Sequence, residues 1–507
     1  MSTNKHWPVE KDSLCKPSVN DDPVPELSST FSSNVFDEAK RFRYLLLRAV
    51  QPLVLDRFDG EGYMTIWPTK SCSVGCDFCF FNSAVAKVGD PKNTLTVNGI
   101  DKALCLIHDA NVKRLMVSGG GEPFLVYDPA VKKILEFAEV SSILLATSGN
   151  WAKRAGKAKS TISSIAELRE KNAQRPLVNL RISLDSYHTK KISPENDLGY
   201  LINIVDAFSR GHKRWQGFAL GFRTLYGDPV VEAFLSKLTI VSRNIINARN
   251  EEIVLDSGFS FILNANSEFD CNQYVDLHDE AFVAKQISLW DENIATIYGG
   301  NTSVVRFGDK KGLNLELLHD GDYFPWGGAS PDNESSIYAD DYASFMRKTL
   351  GDVISLSFLE KGNAYRDAIV SEVNPRAVAK GKAMGLRDFY PRVIFEEEKT
   401  MLYYAIRATQ DFIKEGRVEN IPETVRRTLS LSKEDLISLY ASSDNDIARQ
   451  RLGECTSLDD LLRVYGNVVR GHYEVGAGKI TGLIANSTVL SDELKSSFFL
   501  AIGRSPR

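Results

Sequence analysis

Short apolar runs alternate with helical patterns along the first half of the chain. Each run is rich in Val, Ile, Leu or Phe, as strands are, and a stretch with helical spacing of its apolar residues follows each of the first five. The predicted strands are residues 63–67, 114–117, 142–147, 178–184, 218–224 and one within 253–263. The predicted helices between them are residues 98–110, 129–138, 161–172, 198–208 and 230–245. Such alternation favours parallel strands joined by right-handed crossovers and covered on both faces, so we expect an α/β fold.

The segments that interrupt this pattern each follow a predicted strand directly. A cysteine-containing loop follows the first strand, and G-G-G-E-P at residues 119–123 follows the second. S-G-N at residues 148–150 follows the third strand, and D-S-Y-H at residues 185–188 follows the fourth. In α/β barrels the active site lies at the C-terminal ends of the strands. We therefore expect these four segments to meet at one rim.

Three of the seven cysteines in the chain lie close together in the first of these loops. Cys72, Cys76 and Cys79 have the spacing C-x3-C-x2-C. A 4Fe–4S cluster normally takes four thiolate ligands, so three cysteines would leave one iron open for chemistry. A structural zinc ion is the alternative, but it needs a fourth Cys or His. The nearest downstream candidates, Cys105 and His108, fall inside a predicted helix.

With Phe78 as the aromatic residue before the last cysteine, this loop resembles the signature of the radical S-adenosylmethionine (radical SAM) enzymes. The resemblance covers residues 60–265 and implies a partial barrel of about six parallel strands. It implies one 4Fe–4S cluster on the three cysteines, with S-adenosylmethionine (SAM) bound to the fourth iron. It further implies reductive cleavage of SAM to a 5′-deoxyadenosyl radical, sensitivity to oxygen, and a reductant such as flavodoxin or ferredoxin.

The resemblance also implies which residues contact SAM. The G-G-G-E-P segment resembles the motif that receives the SAM ammonium group, which a carboxylate suits. Residues 217–223 resemble the family's fifth-strand motif. The residues expected to bind the cofactor are Phe78, Gly120, Gly121, Glu122, Pro123, Asn150, Ser183, Asp185 and Arg223.

Several of these residues have an ordinary structural alternative. Ser183 and Asp185 could serve a helix N-terminus, where Asp and Ser are favoured. Asn150 could be a turn residue, and Arg223 could form a surface salt bridge or bind an anionic substrate. His188 is a weaker candidate for the same site.

Composition excludes several classes of protein. The 507 residues carry a net charge of −5, which does not indicate a nucleic-acid-binding domain. No apolar run reaches the roughly 18 residues of a membrane span, and the N-terminus lacks the apolar core of a signal peptide. The seven cysteines form no disulfide framework, so a reducing cytoplasm is the expected location.

The chain is predicted to contain four regions. Residues 1–33 are rich in Ser, Asp, Asn and Pro and are expected to be disordered. Residues 34–265 form the core barrel, and residues 266–335 form a mixed α/β extension in which residues 323–326 are either a lid or a packed loop. Residues 336–507 are mainly helical. Cys105, Cys271 and Cys455 stand singly, so no second cluster is expected.

The resemblance therefore implies a radical SAM enzyme that abstracts hydrogen from its substrate, and a small molecule is the expected substrate. A peptide or protein substrate is the first alternative. A non-catalytic iron–sulfur or zinc protein is the second.

Overall fold

The computed structural model describes a large part of the chain. The described residues are 58–76, 79, 83, 90–195, 197–225, 227–247, 249–266, 288, 300–307, 309–326, 335–383, 394–395, 397–418, 421, 423–440, 452, 455–462, 484–485, 487 and 490–502. The segment 1–33 and Phe78 lie outside this set, and so do the predictions made for them.

Within the described residues, twelve strands belong to one sheet. Their order across the sheet is β12-β11-β10-β1-β2-β3-β4-β5-β8-β7-β6, and β9 pairs with β10. The strands are β1 (Gly62–Ile66), β2 (Val112–Val117), β3 (Ser142–Thr147), β4 (Leu177–Leu184), β5 (Phe218–Leu225), β6 (Ile240–Asn247), β7 (Asn250–Leu255), β8 (Ser260–Asn266), β9 (Val304–Phe307), β10 (Lys310–Leu317), β11 (Asp322–Pro325) and β12 (Ser335–Ser336).

Helices connect these strands and make up much of the described C-terminal region. They are α1 (Val97–Asp109), α2 (Lys132–Phe137), α3 (Ala155–Lys171), α4 (Ser186–Ile192), α5 (Gly199–Gly211), α6 (Pro229–Leu235), α7 (Tyr342–Gly351), α8 (Val353–Ser371), α9 (Pro375–Ala383), α10 (Glu398–Lys414), α11 (Glu423–Leu429) and α12 (Asp492–Ala501). Among these described helices, none is long and apolar enough to cross a membrane.

The centre of the sheet is parallel, as the alternating pattern predicts. Strands β1 to β5 pair in chain order, and β8 follows β5, all in parallel. The prediction of an α/β fold with adjacent parallel strands is therefore confirmed. The sequence did not reveal that β10 also pairs in parallel with β1. This strand extends the parallel part of the sheet beyond β1.

The segment predicted as a single helix, residues 230–245, divides into a helix and a strand. Helix α6 ends at Leu235, and β6 begins at Ile240 and pairs antiparallel with β7. The prediction is wrong because the sequence from Thr239 onward, T-I-V-S-R-N-I-I, is rich in β-branched residues that favour strands. The range 253–263 likewise holds parts of two strands, the end of β7 and the start of β8, of which only β8 pairs in parallel.

The two faces of the parallel strands have different surroundings. One face packs against the helices: Ile182 and Phe222 are fully buried, and the ring of Phe222 lies 5.0 Å from that of Phe234 in α6. On β4 the alternate residues are half-buried or exposed and include Arg181 and Ser183. The expectation that the strands are covered on both faces is therefore wrong for β4, whose second face carries polar side chains.

The aromatic segment at residues 323–326 is a packed element of the sheet. Tyr323 and Phe324 are buried and belong to β11, which pairs antiparallel with β10. The ring of Tyr323 also packs 4.7 Å from that of Phe345 in α7. Of the two predicted alternatives, the packed loop is the closer one, because this segment forms a buried strand.

Candidate functional site

The three clustered cysteines lie on the loop that follows β1. Cys76 is buried, and Cys72 and Cys79 are half-buried. The Val74 N–H donates to the Cys72 Sγ at 3.4 Å. Burial raises the pKa of the Cys72 thiol despite that N–H group, with the negative charge of Glu122 adding to the rise. A bound metal ion would be able to hold this thiol as a thiolate.

The glycine-rich segment after β2 packs directly against this cysteine loop. The Glu122 N–H donates to the Ser71 carbonyl oxygen at 2.9 Å. A side chain at Gly121 would collide with that same Ser71 oxygen and with the backbone of Lys70, so only glycine fits here. At Gly119 the backbone has φ +147, in the left-handed region that favours glycine, beside Trp67. The glycines thus allow the two loops to touch backbone to backbone.

The Glu122 carboxylate is buried and held by four hydrogen bonds. Its Oε1 accepts from the Thr147 hydroxyl at 2.6 Å and from the Phe124 N–H at 3.1 Å. Its Oε2 accepts from the Ser148 N–H at 2.8 Å and from the Ser148 hydroxyl at 2.6 Å. A carboxylate offers about four acceptor positions, so these bonds engage it fully. Glu122 therefore fastens the segment after β2 to the end of β3.

Asp185 is the N-cap residue of α4, as its structural alternative predicts. Its side chain accepts from the His188 N–H at 2.8 Å, and the His188 Nδ1 lies 2.7 Å from Asp185 Oδ2. Burial by itself would raise the pKa of Asp185, but the charge and hydrogen bonds of His188 outweigh it and lower that pKa. The same pairing raises the pKa of His188 well above its ordinary value, against the effect of burial, and a hydrogen bond with the Cys76 side chain contributes. The structure thus joins Asp185, His188 and Cys76.

A single cavity at this rim gathers most of the predicted site residues. The lining residues are Cys72, Val74, Gly75, Cys76, Cys79, Ser83, Ser118, Gly119, Gly120, Gly121, Glu122, Pro123, Ala146, Thr147, Ser148, Arg181, Ser183, Asp185, His188, Arg223, Thr224 and Leu225. Asn150 is not among them, and its Nδ2 instead donates to the Ser73 Oγ at 3.2 Å. Asn150 therefore holds the cysteine loop from the end of β3.

Sequence reasoning missed three residues that matter here. Thr147 and Ser148 supply three of the four bonds to Glu122; the S-G-N segment that contains Ser148 was expected at this rim, but nothing in the sequence indicated that either residue binds Glu122. Arg181 lies inside β4, where the polar residues at alternate positions of L-V-N-L-R-I-S-L are the available signal. That alternation identifies one polar face of the strand.

Among the residues that the structure describes, no three Cys, His, Asp or Glu side chains form a group that could hold a metal ion. No protein-family model matches the chain, and no curated protein matches it.

Proposed function

We propose that this protein is a radical SAM enzyme whose cofactors bind in the cavity beside Cys72, Cys76 and Cys79. The observation that carries the proposal is the shared cavity. It brings three thiols of one loop together with the glycine-rich segment and with the polar ends of β3, β4 and β5. These segments are distant in sequence but meet at the C-terminal edge of parallel strands, where α/β enzymes place their active sites.

The donor groups suit a 4Fe–4S cluster. Thiolates are the usual ligands of iron–sulfur clusters, and three of them leave one iron for a further ligand. The wall of the same cavity includes Gly119, Gly120 and Gly121, so this part of the wall is made of backbone without side chains. The cluster and SAM together would supply the radical chemistry, which side chains alone cannot perform.

The chain's own residues have distinct tasks in this proposal. Glu122 fixes the glycine-rich segment against β3, and its predicted contact with the SAM ammonium would have to replace one of its four hydrogen bonds. Arg223 and Ser183, which are register partners on β5 and β4, face the cavity and offer hydrogen-bond donors to SAM or to the substrate. His188 contacts Cys76 and is held in place by Asp185.

A small molecule is the proposed substrate, and a flavodoxin or ferredoxin is the proposed reductant. The cavity lies at a rim between loops and is lined by polar groups from several strands, as small-molecule sites commonly are. A peptide or protein substrate is the alternative within the same class of enzyme.

A zinc-binding protein is the second candidate function, and one observation favours it. The His188 side chain forms a hydrogen bond with the Cys76 side chain, so a histidine lies beside one of the three cysteines. Three Cys and one His are a known structural zinc set. Metal analysis separates this candidate from the first.

The experiment is anaerobic reconstitution of the full chain, followed by iron, zinc and 5′-deoxyadenosine measurements. We expect about four irons per chain and SAM cleavage by the reduced protein. Cys72→Ala and Cys79→Ala should each lose the cluster and SAM cleavage, whereas Cys105→Ala, an exposed cysteine in α1, should keep both. A protein that takes up zinc alone, or eight irons, would contradict the proposal.

A further inference from the structure

The segment that leads from β3 into α3 carries a concentrated positive charge on its surface. Four cations with exposed side chains lie within residues 153–159: Lys153, Arg154, Lys157 and Lys159. The sequence has no acidic residue between Glu139 and Glu167, although the chain as a whole carries a net charge of −5. This basic segment, residues 153–159, therefore differs in sign from the protein that carries it.

Two acidic side chains from other elements come near the basic segment. The charge of Lys157 acts on Asp128, which also forms an ion pair with Lys132. The charge of Lys153 acts on Asp197. With Lys132 included, the cations here outnumber these two acids, so positive charge predominates on this part of the described surface.

The basic segment begins beside the cysteine loop. The Asn150 Nδ2 donates to the Ser73 Oγ at 3.2 Å, and Ser73 is the chain neighbour of Cys72. Lys153 follows Asn150 by only three residues. An electron donor has to come close to the group that it reduces. A protein bound to the basic segment would lie next to a cluster held by Cys72.

A fixed group of aromatic side chains adjoins these charges. The half-buried Trp151 stacks on Phe124 with ring centroids 4.9 Å apart, and Phe124 stacks on Tyr127 at 5.3 Å. The Trp151 Nε1–H also donates to the Thr147 Oγ1 at 3.0 Å, which holds the indole in place. Leu125, the residue after Phe124, is 38% exposed. Aromatic residues and arginine are enriched in protein interfaces, so this surface suits a protein partner.

We infer that the basic segment and Trp151 form the docking surface for a small acidic electron-transfer protein of the flavodoxin kind. Calling this partner an electron donor rests on the proposed radical SAM function. One electron would pass from the donor to the cluster, so the donor is oxidised by one electron and the cluster is reduced by one. Opposite charges speed such an encounter and make it sensitive to salt. Nucleic acid is a less suitable partner, because the chain as a whole is negatively charged.

The test measures binding of an oxidised bacterial flavodoxin to the full chain, without cluster or SAM, at low and at high ionic strength. We expect the wild-type protein to bind at low ionic strength and to bind more weakly as salt is added. Lys153→Glu combined with Arg154→Glu should weaken binding by roughly tenfold or more, because two attractive charges become repulsive. Arg154 is the N-cap residue of α3, but its side chain makes no capping hydrogen bond, so the substitution removes no helix cap.

A matched control lies at the opposite rim of the sheet. Lys213 and Arg214 are also adjacent and exposed, and a tryptophan, Trp215, follows them directly. They precede β5, whereas the basic segment follows β3, and parallel strands place these positions at opposite ends of the sheet. Lys213→Glu combined with Arg214→Glu changes the net charge by the same amount and should leave binding nearly unchanged.

Three results would overturn the inference. The first is a wild-type protein that does not bind flavodoxin at low ionic strength. The second is a Lys153→Glu, Arg154→Glu protein that binds as tightly as the control variant. The third is a wild-type protein that binds a DNA oligonucleotide more tightly than flavodoxin, which would assign the surface to nucleic acid. Thermal melts establish that each variant is folded, and Lys157→Glu combined with Lys159→Glu is the second variant, with the same expected loss.

Reduction of the cluster-loaded protein separates this inference from the proposed function. The rate of cluster reduction by reduced flavodoxin is compared with the rate for dithionite, a small reductant that needs no docking surface. The ratio of the two rates should fall in the Lys153→Glu, Arg154→Glu protein and stay the same in the control, and an equal ratio in both would contradict the inference. If flavodoxin binds as expected but neither reductant gives 5′-deoxyadenosine, the proposed function fails and the docking surface stands. If dithionite gives 5′-deoxyadenosine and flavodoxin does not bind, the docking surface fails and the proposed function stands.

Discussion

Replacing Glu122 with Gln tests whether this residue holds the site together or only contacts SAM. Each oxygen of the carboxylate accepts one backbone N–H, from Phe124 on Oε1 and from Ser148 on Oε2. A glutamine has only one acceptor oxygen, so in either orientation its NH2 group faces a backbone N–H. Hydroxyl groups can rotate to become acceptors, but a backbone N–H cannot. The substitution therefore leaves one buried donor without a partner and removes the charge from the remaining bonds.

The expected loss of stability follows from these contacts. A buried unsatisfied donor costs about 1–3 kcal/mol, and a hydrogen bond to a charged group contributes about 1.5–3 kcal/mol against about 0.5–1.5 for a neutral one. In protein that carries neither a cluster nor SAM, we expect Glu122→Gln to lower the free energy of unfolding by about 2–4 kcal/mol. If Glu122 acted only on the SAM ammonium, stability would be unchanged and SAM affinity alone would fall, by roughly 10- to 150-fold.

The assay is denaturant unfolding of the cluster-free protein, monitored by circular dichroism, together with SAM binding to the reconstituted protein. Thr147→Val is a second test of the same hydrogen bonds, because it removes one donor to Oε1 together with the acceptor of the Gly149 N–H and the Trp151 Nε1–H, and keeps the side-chain volume similar. Glu139→Gln is the matched control, since Glu139 is 59% exposed and should change stability by less than about 0.5 kcal/mol. A Glu122→Gln protein as stable as wild type would refute the reasoning from these four bonds.

Two further predictions concern Gly121 and Glu372. Gly121→Ala should separate the glycine-rich segment from Ser71 and sharply lower iron uptake, measured after reconstitution, because the new methyl group has no space; unchanged iron content would contradict this. Glu372 accepts from the Tyr403 hydroxyl at 2.6 Å and pairs with Lys433 at 2.7 Å, and its pKa is lowered because these groups, with Arg407, outweigh its burial. A lowered pKa means stability that is present above the unfolded pKa and is lost as pH falls through the folded one. Glu372→Gln should therefore cost about 1 kcal/mol at pH 7 and less as the pH is lowered into the acid range, by urea unfolding. A difference that does not shrink as the pH falls would contradict this.

The sequence predicted the central fold because its signals there are local. Strands β1 to β5 are short apolar runs, and parallel pairing in chain order follows from the helices between them. The pairing of β10 with β1 could not be predicted in the same way. More than 200 residues separate these two strands, and no turn or crossover of recognisable length links them. The antiparallel β6–β7 hairpin was missed for a different reason, because a helical pattern was extended across a β-branched segment.

In the candidate site too, the local features could be predicted from the sequence and the long-range contacts could not. Cysteine spacing and a glycine-rich turn are visible in sequence because each motif lies in one loop. The partners of those motifs are dispersed: the carboxylate of Glu122 meets Thr147 and Ser148, and Cys76 meets His188. Such contacts depend on which strands become neighbours. Each contributing residue is also a common one in its own stretch of chain, so no spacing rule identifies it.

The contacts around the cysteine loop bear on how a cluster would be loaded. The loop is tied to the segment after β2 by the Glu122 N–H on the Ser71 oxygen, and to the end of β3 by Asn150 on Ser73. The Glu122 carboxylate in turn joins the segment after β2 to the end of β3, because it accepts two hydrogen bonds from Ser148. These bonds form a closed set that includes no metal ligand, so the frame around the cysteines does not require a cluster in order to form. Reconstitution would then add iron to an existing pocket, because the bonds that place the cysteine loop are made within the protein.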